Sequence, residues 1–104
     1  MNELFNQQDF ERTINTGVSL IDFNAPWCAP CRSQEPILNK LATYYKDKVT
    51  IASMNIDNNR ETAGKLGIQS IPTLIIYKNG NEILRLIGLQ SEEFLMKTVD
   101  SIFN

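Results

Sequence analysis

Val18-Ser19-Leu20-Ile21-Asp22-Phe23-Asn24-Ala25-Pro26-Trp27-Cys28-Ala29-Pro30-Cys31 is the stretch on which the reading of this chain turns. Its opening, Val18 to Phe23, is a short, largely apolar run with β-branched residues, which reads as a buried strand. Its close holds the only two cysteines, three positions apart, at the head of a segment with helical periodicity. Thiols at that spacing point to redox chemistry or to a metal site. A tetrahedral metal site needs about four N, S or carboxylate ligands. With no histidine in the chain, only a dimer sharing two such pairs could close a thiolate site, and a purely structural disulfide is out of place in a reducing compartment.

Composition bounds the rest. The 104 residues are enough for one hydrophobic core and too few for two. With 42% hydrophobic and 21% charged residues, the chain reads as globular. A net charge of −2 with no basic cluster excludes the footprint of a nucleic-acid binder. No apolar run approaches the ~20 residues of a membrane span, and Met1 to Asn6 lacks the basic start and apolar stretch of a secretory signal. The expected setting is the cytoplasm.

The periodicities alternate along the chain. Asn6 is placed to cap a helix from Gln7 to about Thr16, with Phe10 and Ile14 on one face and Gly17 beyond its end. Glu3 to Phe5 remain for a short strand. A second helix runs from the cysteines to about Tyr45, with Ile37, Leu38, Leu41, Ala42 and Tyr45 in one apolar stripe and a kink predicted at Pro36, which lacks a backbone donor. Val49 to Ile56 reads as a strand, and Asp57-Asn58-Asn59 as the cap of a short helix from Arg60 to Leu66. Thr73 to Lys78, the turn Asn79-Gly80, and Glu82 to Ile87 read as a hairpin. Ser91 caps a last helix in which Phe94, Leu95, Thr98, Val99 and Ile102 repeat at helical spacing. Strands joined through helices run parallel and the hairpin adds antiparallel ones. The expected class is α/β: a single domain over residues 1–104 with a central mixed sheet and helices on both faces.

At a helix start, the Cys28 sulfur meets unpaired N–H groups and the positive end of the dipole, which favour its thiolate and make it the nucleophile. Cys31, one turn further in and expected to be more buried, is the resolving thiol. Pro30 stiffens the first turn at no cost in hydrogen bonds. Asp22 has two readings: a solvated strand-end acid, or a buried carboxyl of raised pKa that takes the Cys31 proton. Pro72 likewise reads either as the first residue of a strand or as a cis-proline bending the chain toward the cysteines.

The segments Ile21-Asp22-Phe23, Ala25 to Arg32, Pro36, Met54 to Asp57, Gly67 to Leu74, Lys78-Asn79-Gly80 and Gly88 resemble, in order and at matching distances, the thioredoxin family. That resemblance implies a thioredoxin fold with a sheet of four or five strands and reduction of protein disulfides by a monomer that carries no cofactor and no metal. It further implies recharging by an electron donor of the thioredoxin-reductase type. It makes Cys28, Cys31 and Asp22 catalytic and Pro72 cis, and lets Ile71 offer its backbone to an extended substrate segment. Trp27, Ala29, Pro30, Ile71, Pro72 and Gly88 become the substrate-docking rim. In that family the nucleophile pKa is about 7 and the potential about −270 mV. Three positions depart from the family pattern: Ala29 for a glycine between the cysteines, Asn24 for a tryptophan, and Ser53 for a lysine near the buried acid. Losing that lysine is expected to raise the Asp22 pKa further. An alternative reading is a redox-active binding module dedicated to one partner or assembly. An oxidase or isomerase is a third, although such relatives usually carry a histidine between the cysteines.

Overall fold

The structure, a computed structural model, describes residues 1–103. The elements run β1 (Asn2–Leu4), α1 (Gln7–Ile14), β2 (Val18–Asn24), α2 (Ala29–Tyr44), β3 (Val49–Asn55), α3 (Arg60–Lys65), β4 (Thr73–Lys78), β5 (Asn81–Ile87) and α4 (Glu92–Phe103). They form the thioredoxin fold expected from the sequence, built on one five-stranded sheet of order β1-β3-β2-β4-β5. β1, β3 and β2 run parallel, while β4 pairs antiparallel with both β2 and β5. No helix among the described residues is long and apolar enough to cross a membrane.

Strand alternation divides the core into two layers. Val18 and Leu20 of β2, Ile51 of β3 and Leu74 and Ile76 of β4 pack with Leu38 and Leu41 of α2 and Leu95 and Val99 of α4. Ile21, Phe23, Ala52, Met54, Ile75 and Tyr77 pack on the opposite side with Phe10 of α1. The central strands are therefore buried on both faces, and so read as nearly continuous apolar runs.

Local chemistry sets the element ends. Asn6 Oδ1 accepts the Asp9 N–H at 2.8 Å and caps α1, which stops at Ile14, two residues short of the expected end. Ser91 Oγ accepts the Phe94 N–H at 3.1 Å and caps α4. Asn79 and Gly80 both have positive φ, 51° and 89°, the conformation a two-residue hairpin turn requires. Asn79 also ties that turn to the start of β2, since its Oδ1 accepts the Gly17 N–H at 2.8 Å.

Two expectations need correction. Asn59 is the N-cap of α3 but makes no side-chain cap bond. The turn before α3 is organised from Asn55 instead, whose Oδ1 accepts the Asp57 and Asn58 N–H groups at 2.8 and 3.3 Å. Phe94 shares the helical spacing of Leu95 and Val99 yet lies 47% exposed, because only one flank of α4 meets the sheet. Pro36 stands inside α2.

Candidate active site

Register determines what lies beneath the head of α2. Asp22 and Asn24 follow Val18 and Leu20 on the same face of β2, the face that packs on α2 and α4. Ser53 and Asn55 of β3 stand opposite them. The layer between sheet and helix thus changes from apolar to polar where the strands approach the cysteines.

Cys28 is the N-cap of α2, with extended backbone (φ −90°, ψ 112°), and its Sγ accepts the Cys31 N–H at 3.2 Å. The N–H groups of the first turn lack intrahelical acceptors, so they and the helix dipole stabilise negative charge on that sulfur. Pro30 lies in the same turn, where its missing donor costs nothing. A disulfide joins Cys28 to Cys31, with Cα atoms 5.2 Å apart.

Exposure does not distinguish the two cysteines as the sequence suggested: Cys28 is 5% and Cys31 4% exposed. Both are shielded by Ala25, Ile56 and Ile71. Their polar surroundings differ instead, since Cys28 Sγ also lies 3.7 Å from the Ile71 carbonyl oxygen. In the disulfide that sulfur has no proton and the approach is a contact; as a thiol it can donate there. Ile71 precedes Pro72 through a cis peptide bond.

Asp22 has no exposed surface. Its Oδ2 accepts the Asn24 side-chain N–H at 3.0 Å, and Oδ1 has no hydrogen-bond partner among the described residues. Burial pushes its pKa from 3.8 up to about 6; the Asn24 hydrogen bond draws it down and the charge of Glu35 adds to the rise. Of the two readings of Asp22, the geometry supports the buried acid.

Around the disulfide, Trp27 is 66% exposed and its indole N–H donates to Asp57 Oδ2 at 2.8 Å. Ala29 and Pro30 are exposed and Ile71 and Gly88 half-buried, while Pro72 is buried beneath them. The Gly88 N–H donates to the Pro72 carbonyl at 2.8 Å, with φ at 90°, a conformation open mainly to glycine. Ile71 thus packs on the cysteines while the next residue, Pro72, is tied to Gly88.

Asn24, Asp57, Gln34 and Gln90 also build this region and were not singled out from sequence as site residues. Gln34 is fully buried in α2, its Nε2 donating to the Gln90 carbonyl at 3.1 Å and its Oε1 accepting the Gln90 N–H at 2.7 Å. Gln90 Nε2 in turn donates to the Ile87 and Gly88 carbonyls at 3.3 and 3.2 Å. A signal for Gln34 existed: it stands four residues before Leu38, a polar residue in the apolar stripe.

A cysteine pair capping a helix opposite a cis-proline loop, on this sheet, defines a dithiol-disulfide exchange protein. The family model described as thioredoxin matches residues 2–101, and the chain is similar to Staphylococcus aureus thioredoxin, at 40% identity over 92 residues that cover 88% of each chain. The chain belongs to the thioredoxin family, and it is a protein-disulfide oxidoreductase that works through its CxxC pair. Solved structures agree: a mutant thioredoxin from Halobacterium salinarum gives a TM-score of 0.91 at 28% identity, covering 99% of this chain and 90% of that one. Plasmodium falciparum thioredoxin gives 0.89 at 26% identity, with coverages of 97% and 98%.

Proposed function

We propose that this protein acts in the reducing direction on disulfide-containing protein substrates, as a single-domain cytoplasmic monomer recharged by a thioredoxin-reductase-type donor. The observation that carries this reading is the Cys28 sulfur at the N-terminus of α2, held beside the Ile71 carbonyl within an apolar rim. In the dithiol form the Cys28 thiolate attacks one sulfur of the substrate disulfide. That bond breaks, a mixed disulfide forms, and the other substrate sulfur leaves as a thiolate that takes a proton from water. Cys31 then gives its proton to Asp22, and its thiolate attacks Cys28 Sγ. The second substrate sulfur leaves as a thiolate, and two electrons have passed to the substrate. The product is the Cys28–Cys31 disulfide, which the donor reduces by the reverse exchange.

Backbone groups at Ile71 would pair with an extended substrate segment, and Trp27, Ala29, Pro30 and Gly88 would cover it. Such pairing tolerates many sequences, which suits a general reductant. Insulin reduction by the NADPH-driven system should proceed with wild type and fail with Cys31→Ser, which stops at the mixed disulfide. A redox potential near about −270 mV is expected, and one of about −120 to −180 mV, the range of oxidising relatives, would overturn the reducing direction.

A further inference from the structure

Asn24 closes β2 on the same face as Asp22 and donates its side-chain N–H to Asp22 Oδ2 at 3.0 Å. The other carboxylate oxygen is buried without a partner among the described residues. Beside Asn24 a cleft of about 340 Å³ opens between the first turns of α2 and the strands β1 and β3, and Cys31 lines it. That volume is well above the roughly 10–15 Å³ that one water needs. Asp22 is sealed off at 0% exposure, and Asn24 both hydrogen-bonds the buried carboxylate and borders the space shared with Cys31.

We propose that Asn24 is a positioning residue for the exchange reaction: it holds one oxygen of Asp22 and leaves the other to take the Cys31 proton. This rests on Asp22 being the acceptor of that proton. The chemistry of the donor explains the division. An amide N–H bonded to Oδ2 is satisfied by the carbonyl oxygen of the neutral acid as well as by a carboxylate oxygen, and more strongly by the charged one. The hydrogen bond therefore keeps its good acceptor in both protonation states when the proton goes to Oδ1. An apolar residue at position 24 would leave both oxygens buried and unpaired, which penalises the charged form most.

The other groups facing Asp22 do not substitute for Asn24. Ser53 of β3 and Leu74 of β4 stand opposite it in register; Ser53 also lines the cleft but makes no hydrogen bond to Asp22, and Leu74 has no donor to offer. Glu3 of β1 and Glu35 and Arg32 of α2 line the cleft. Glu35 acts against ionisation of Asp22, and the Arg32 guanidinium donates to the Pro26 carbonyl at 2.9 Å.

The test follows the Asp22 carboxyl by carbon NMR titration, alongside the pH profile of disulfide reduction, in wild type, Asn24→Leu, Asn24→Gln and Asp22→Asn. Asn24→Leu should move the Asp22 titration to higher pH. Its reduction rate near pH 6, where Asp22 titrates, should fall roughly 3- to 10-fold and rejoin wild type in alkaline solution. Asn24→Gln, which keeps the amide donor, should recover most of the rate. An unchanged titration and profile in Asn24→Leu, with the acid limb abolished in Asp22→Asn, overturns the role of Asn24 and spares that of Asp22. An unchanged profile in Asp22→Asn overturns both. Should Asn24→Leu fail to fold, Asn24→Ala at the same half-buried position is read by the same two measurements.

Discussion

Asp22 is the residue at which stability and chemistry oppose each other. Its folded pKa of about 6 exceeds the ~3.9 of an unfolded aspartate. Between those values the folded state binds more protons than the unfolded one, so stability falls as pH rises through the window and the full cost is present above it. The gap corresponds to about 3 kcal/mol at neutral pH, with the lowering by the Asn24 hydrogen bond already included. Asp22→Asn should therefore raise the urea midpoint near neutral pH, leave it unchanged below the ~3.9 of free aspartate, and slow turnover. An equal gain at both pH values would show that the effect has another origin than buried charge. This conflict was half legible in the sequence. Ile21 and Phe23 beside Asp22 suggested burial, but which face it takes depends on the pairing of β2 with β3 and β4, a long-range property. The absence of the family's tryptophan at position 24 was visible too. That Asn24 would bond Asp22 was only implicit in the rule that residues two apart on a strand share a face.

At the scale of elements, the parts with strong local chemistry were legible: the Asn79-Gly80 hairpin, the Asn6 and Ser91 caps, and the apolar stripe of α2. Less so were features set by contacts across the fold, such as the Asn55 side chain ordering the turn before α3, and the half-wet α4 on which Phe94 is exposed. The clearest example is Gln34. Its side chain fixes α2 to the backbone of Gln90, 56 residues later, and Gln90 braces the carbonyls of Ile87 and Gly88. Gln34→Leu would preserve bulk in the stripe but strip the Gln90 N–H and carbonyl of their partners. At about 1–3 kcal/mol for each buried group left unpaired, reduced at the upper end because Gln90 is only half-buried, the variant should lose about 2–4 kcal/mol of stability. Amide exchange should speed up from Gly88 to Ser91 before it does in β4, because only that loop loses its anchor. Uniformly faster exchange across the sheet would instead mark a general weakening of the core, and the clamp would not be the loop's support.

For the whole molecule the question is whether one surface can serve many partners. The chain carries a net charge of −2, and its ion pairs, such as Lys40 with Glu92 and Lys97 with Glu93, are largely solvent-exposed. Such pairs contribute little to stability and form no single-sign field. Apolar side chains are displayed near the disulfide instead: Trp27 is 66%, Ile87 63% and Leu89 52% exposed, the latter two flanking Gly88. A surface of this kind holds a segment by its backbone and by non-directional contact, and selects weakly on side chains. The methyl of Ala29, where the family usually has glycine, is the one addition at the rim that could narrow the choice. Cys31→Ser separates these possibilities, because without a resolving thiol each attack by Cys28 ends in a stable mixed disulfide. We expect the variant to retain many different proteins from an extract, all released by dithiothreitol, and Ala29→Gly in the same background to change their proportions modestly. Retention of one dominant partner, lost on Ala29→Gly, would mean that the rim recognises a shape and not a backbone, and that the protein serves a dedicated assembly.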